Sequence, residues 1–92
     1  MEEPSVAELL PELYRQVLDR VAALEEHGQR AEAGRVRAEA TQAYSRAWDT
    51  AALGKLRGLR THAERVIQGR ERPRAQHSLA AAIARFTPER GV

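Results

Sequence analysis

The sequence predicts an all-α protein: a small antiparallel helical bundle of three main helices plus a short C-terminal helix. Three observations predict it. Val6, Leu10, Leu13, Val17, Val21 and Leu24 recur every three or four residues, the repeat of one helix face. Glycines at 28 and 69, with capping residues at 5, 49–50 and 78, divide the chain into helix-length segments. No segment alternates apolar and polar residues with the period of two that marks a half-buried strand.

Helix 1 is expected over 5–27. Ser5-Val6-Ala7-Glu8 reads as a capping box, in which the Ser5 hydroxyl accepts from an amide one turn on. Pro11 lacks an N–H and disfavours a helical residue before it, so the opening turn is expected to be separate or kinked. Leu9, Tyr14 and Leu18 widen the apolar stripe, and Gly28 is the expected stop.

Helix 2 is expected over 29–48. The short turn at Gly28 favours an antiparallel αα-hairpin. The expected buried stripe is Ala33, Val36, Ala40, Ala43, Tyr44, Ala47 and Trp48. Its small side chains allow close approach, which predicts this helix in the middle of the bundle.

Helix 3 is expected over 50–68, capped by Asp49 or Thr50 and ended by Gly69; a single long helix bent at Asp49 is the alternative. Leu53, Leu56, Leu59, Ala63, Val66 and Ile67 share one face, and Gly54, Gly58, Thr61 and Arg65 share the other. Two interior glycines cost roughly 1 kcal/mol each against alanine. Their Gly-x-x-x-Gly spacing reads either as a close helix contact or as tolerated composition. Residues 69–76 form a charged linker. Ser78 then caps a short helix 4 over 78–87, with Leu79, Ile83 and Phe86 on one side and Pro88 beyond. A helix this short must dock to persist.

The 92 residues make one domain, 1–92. At 42% hydrophobic and 30% charged the composition is that of a globular chain rather than a disordered tail. The strong apolar set is thin for four helices, so self-association, as a homodimer, is an expected way to complete the core. No repeat is present, since one hairpin falls short of the three units a helical solenoid needs.

Without cysteine there is no disulfide framework, no thiolate nucleophile and no cysteine-based metal site. No apolar run approaches the roughly 18 residues of a membrane span. Met1-Glu2-Glu3-Pro4 lacks the basic start of a signal peptide, which makes a cytoplasmic location the expectation.

Catalytic signatures are missing too. His27, His62 and His77 are scattered, with no partner at the spacing of a helical metal site. No nucleophile elbow, Walker loop or dinucleotide fingerprint occurs. Glu12 with Arg15, Glu32 with Arg35 and Arg60 with Glu64 read as surface pairs. The expectation is therefore no enzyme, no cofactor and no metal.

Two surfaces remain as candidates. Tyr44 and Trp48 sit one turn apart and read as core, but Trp48 closes an alanine face at a helix end. Trp48, Leu79, Ile83 and Phe86 are the candidate protein interface. The second surface rests on charge. Residues 1–45 carry nine acids and five bases, and residues 46–92 four acids and ten bases. Fourteen of the fifteen bases are Arg, the residue suited to bidentate phosphate contacts, although Ala and Gly are abundant too and the composition of a high-G+C genome accounts for the bias as well. Lys55, Arg57, Arg60, Arg65, Arg70, Arg72 and Arg74 are the candidate nucleic-acid contacts, though no aromatics interleave them for base stacking. The expected function is a non-enzymatic helical interaction or regulatory module, binding a protein partner or itself. The alternative is nucleic-acid binding through the basic second half. No membrane partner is expected.

Overall fold

The computed structural model describes residues 4–75, which form three α-helices packed together and, among the described residues, no strand. Helix α1 spans Val6–Glu26, α2 Arg30–Arg46 and α3 Thr50–Ile67. The expected helix over 78–87 lies outside the described residues.

Local chemistry sets the ends. The Ser5 hydroxyl accepts from the Glu8 amide at 3.3 Å and starts α1. Pro11 lies inside α1, which runs on without interruption, so the opening turn is not a separate element. Pro11 deprives the Ala7 carbonyl of its usual helical partner. Both residues are exposed, so water can satisfy that carbonyl and the helix tolerates the loss.

Helix α1 ends in a paired turn. Gly28 takes φ 78°, its N–H donates to the Glu25 carbonyl at 3.1 Å, and the Gln29 N–H donates to the Leu24 carbonyl at 2.8 Å. This is the glycine-dependent closure that satisfies two orphan carbonyls. The same arrangement ends α3. Gly69 takes φ 76°, with bonds from Gly69 to Val66 at 3.0 Å and from Arg70 to Arg65 at 2.7 Å.

Between α2 and α3 the expectations divide. Asp49 breaks the chain into two helices rather than bending one, because its carboxylate accepts from the Ala52 amide at 2.9 Å and caps α3. Helix α2 stops at Arg46, two residues earlier than expected, and Ala47 is extended at φ −160°. That break removes Ala47 and Trp48 from the helical phase, so neither belongs to the buried stripe and both are exposed.

The core draws Leu10, Leu13, Val17, Val21 and Leu24 from α1, with Leu53, Leu56, Leu59, Ala63 and Val66 from α3. From α2 come only Ala33, Val36 and Ala40, with Ala43 and Tyr44 at its margin. Helix α2 is not the middle of the bundle. The α1–α3 contact is the most extensive and the α2–α3 contact the least, so α1 holds the group together. Large aliphatic side chains reach two neighbours; alanines reach few.

Candidate functional site

The least apolar of the three contacts contains the most chemistry. Glu32, near the start of α2, is 1% exposed. Sequence reasoning places it on the surface with Arg35; the structure turns it inward. Such a carboxylate persists inside only when fully hydrogen-bonded. Arg35 donates to both its oxygens, at 3.2 and 2.7 Å. The Ala75 amide donates at 2.8 Å, and His62 Nε2 meets the same carboxylate. Burial pushes the Glu32 carboxyl up, but Arg35, the Ala75 amide and His62 together outweigh it and hold it down at about 2.

His62, on α3, is itself 7% exposed. Its Nε2 faces Glu32 and its Nδ1 faces Glu71, in the connection after α3. The His62 contact, with Arg65 and Arg74 nearby, also keeps the Glu71 carboxyl below the ordinary carboxylate range. The network extends along α2. Arg35 also pairs with Glu39, and Glu39 accepts from Lys55 of α3 at 2.7 Å. No buried side-chain polar atom is left without a partner among the described residues.

This geometry limits the chemistry. A histidine that activates a nucleophile keeps one nitrogen for substrate; both His62 nitrogens face carboxylates. A general acid needs a proton near neutral pH, and Glu32 loses its own near pH 2. The two ring nitrogens diverge and each faces a different carboxylate, so the three side chains do not converge on one point. Among the described residues no group of three or more such side chains could hold a metal. No helix there is long and apolar enough to cross a membrane.

A faint signal did exist for this network. Glu32 precedes Val36 and Ala40 by one and two helical repeats, and His62 lies three residues after Leu59 and four before Val66. An acid and a base at core-phase positions on neighbouring helices are candidates for each other. Glu71, in an irregular segment, carried no periodic signal.

At the other end of the bundle three of the four aromatic side chains meet. Tyr14 and Tyr44 stack with centroids 4.3 Å apart and planes 2° from parallel. Trp48 continues from Tyr44 at 5.1 Å. The Tyr14 hydroxyl lies 3.1 Å from the Thr41 hydroxyl, and the Trp48 indole N–H donates to the Tyr44 carbonyl at 2.8 Å. Trp48 is nonetheless 48% exposed, the one exposed large hydrophobic side chain among the described residues. Its expected interface companions Leu79, Ile83 and Phe86 lie outside the described residues.

The seven basic candidates separate into groups. Lys55 is paired with Glu39, and Arg60 is half-buried and donates to Gln16 of α1. Arg57, Arg65 and Arg74 line one depression of about 370 Å³ on the outer side of α3. Arg70 and Arg72 are exposed in the connection. Gly54 and Gly58 are also exposed, and among the described residues a Cβ added at either would meet nothing within 4 Å, so no close helix contact there explains their spacing. Compared with known proteins, the chain matches no family model, no curated protein and no solved structure.

Proposed function

We propose that this chain is a non-enzymatic helical interaction module, cytoplasmic, that binds a protein partner or a second copy of itself through the Trp48 end of the bundle. The carrying observation is that exposed indole. Its polar edge is already satisfied and its ring is propped by Tyr44, so it presents apolar area at little entropic cost. Tryptophan anchors of this kind dominate many interfaces. The occupied nitrogens of His62 support the non-enzymatic reading.

An antiparallel up-down-up order belongs to the same proposal. It is supported by paired residues that run in opposite sense between α2 and α3, Glu39 with Lys55 and Glu32 with His62, and in the same sense between α1 and α3, Arg20 with Glu64 and Gln16 with Arg60.

Trp48 is the sole tryptophan, so its own fluorescence tests the proposal. Its emission should shift to the blue as protein concentration rises if the partner is a second copy. Trp48→Ala should abolish association in sedimentation equilibrium and change stability by less than about 1 kcal/mol, as for a surface position. Parallel loss of association and of stability would assign Trp48 to the fold and sink the proposal.

A second reading, nucleic-acid binding, is favoured by the gathering of Arg57, Arg65 and Arg74 on one face. Anisotropy titrations against duplex and single-stranded DNA and RNA at near-physiological salt test it. Reversing those three charges should abolish binding without unfolding; unchanged affinity removes the reading.

A further inference from the structure

The depression beside α3 holds more positive charge than its own carboxylate neutralises. Arg57, Arg65 and Arg74 line it together with Thr61, His62 and Glu71. Glu71 is the only acid in that lining. Three guanidiniums against one carboxylate leave an excess of two positive charges. Among the described residues, neither Arg57 nor Arg74 has an ion-pair partner.

Glu71 already places one anionic group against this lining. One of its oxygens meets His62 Nδ1 and the other lies 3.8 Å from the Arg65 guanidinium. Its side chain is about one-third exposed. It is an anion at the edge of a cationic recess, held loosely on the arginine side and firmly on the histidine side. The connection carrying it is pinned a second time, by the Ala75 amide on buried Glu32 at 2.8 Å. That bond fixes the residue next to Arg74, which lines the depression together with Arg57 and Arg65.

The geometry points to a phosphoryl-binding site in this depression, with Glu71 occupying part of it from within the chain as a competing carboxylate. The ligand class is inorganic phosphate or a phosphomonoester. A phosphomonoester is close to a dianion at neutral pH, which matches the excess charge. Guanidinium forks bind its oxygens bidentately, and the Thr61 hydroxyl adds a neutral donor. The site is independent of the Trp48 surface. It differs from the nucleic-acid reading in needing one phosphoryl group rather than a tract.

The test is isothermal titration calorimetry of the full chain with inorganic phosphate and with phosphoserine, in a phosphate-free buffer at low salt. Circular dichroism melts accompany each variant. Glu71→Gln keeps an acceptor for His62 and removes the competing charge, so it should tighten phosphate binding about fivefold or more. Arg57→Ala and Arg65→Ala alter exposed side chains and should weaken binding about tenfold each with unchanged melts. Phosphate and phosphoserine should compete for one site per chain. No binding by either the wild type or Glu71→Gln overturns the proposal. So does weaker binding by a folded Glu71→Gln, which would make Glu71 a support rather than a competitor. Binding only to DNA or RNA, steeply lost with salt, overturns it in favour of the extended-tract reading.

Discussion

Helices α1 and α2 are near neighbours in length, 21 and 17 residues, yet they hold α3 by opposite means. Helix α1 buries five Leu and Val side chains, and its polar contacts with α3, Arg20 with Glu64 and Gln16 with Arg60, lie at the rim. Helix α2 buries one valine, two alanines and a glutamate. Its connection to α3 runs through Glu32 to His62 and Glu39 to Lys55. Where apolar volume is short, hydrogen-bonded charge closes the contact. The two solutions differ in kind. Aliphatic packing is non-directional and tolerates small shifts, whereas a buried carboxylate is stable only while every partner is in place.

The largest expected effect breaks the α2 side. Glu32→Gln leaves Arg35 and His62 facing a neutral amide and should cost about 3–5 kcal/mol in chemical denaturation. The contrast sharpens if both partners go. Glu32→Met combined with His62→Leu should recover much of that loss, because apolar replacement of a buried pair is often neutral or favourable. A double variant as unstable as the single one would mean that the network does more than fill space.

Leu24→Ala breaks the α1 side instead. Leu24 is fully buried, so the substitution should cost about 2–5 kcal/mol through lost transfer energy and a cavity. Its cost should be independent of pH, which separates the two helices experimentally.

Acid is the third probe. Glu32 is held at about 2 against an ordinary 4.5, so its folded form binds a proton less readily than its unfolded form. The stabilisation it provides is complete above pH 4.5 and is lost as pH falls toward 2, on the order of 3 kcal/mol. Glu39 and Glu71 are shifted in the same direction. Denaturant midpoints measured at pH 6, 4 and 3 should fall steadily. Glu32→Gln should flatten that fall and Leu24→Ala should leave its slope unchanged.

The smallest effect concerns the outer side of α3. Gly54→Ala and Gly58→Ala meet open space among the described residues and should each stabilise the chain by roughly 1 kcal/mol through helix propensity. Destabilisation by either would reveal a neighbour closely packed on that face in solution.

How much was legible follows from the range of each interaction. Ser5, Gly28, Asp49 and Gly69 could be read because a cap acts within one turn of its own position. The α1 and α3 stripes could be read because large aliphatic residues repeat at the helical period. The end of α2 was misplaced because Tyr44 and Trp48 keep that period while the chain leaves the helix at Ala47. Continuity of pattern did not guarantee continuity of backbone. Glu32 was misread because Arg35 at i+3 accounts for it equally well on a solvated face. Of the seven basic candidates, only the folded chain shows that Arg57, Arg65 and Arg74 share a depression while Lys55 and Arg60 are spent on internal partners.

The sequence by itself determined that the described residues are helical, where the described helices begin and, for α1 and α3, which face turns inward. Those properties depend on residues within a few positions of one another. Only the tertiary structure decided that α1 rather than α2 organises the bundle, that Glu32 and His62 are core residues, and that Glu71 and Ala75 return to meet them. The physical reason is separation. Glu32 and His62 lie 30 residues apart and Glu32 and Ala75 lie 43 apart, so neither partner shapes the other's local sequence, and each becomes intelligible as a buried charge only once the helices have brought them together.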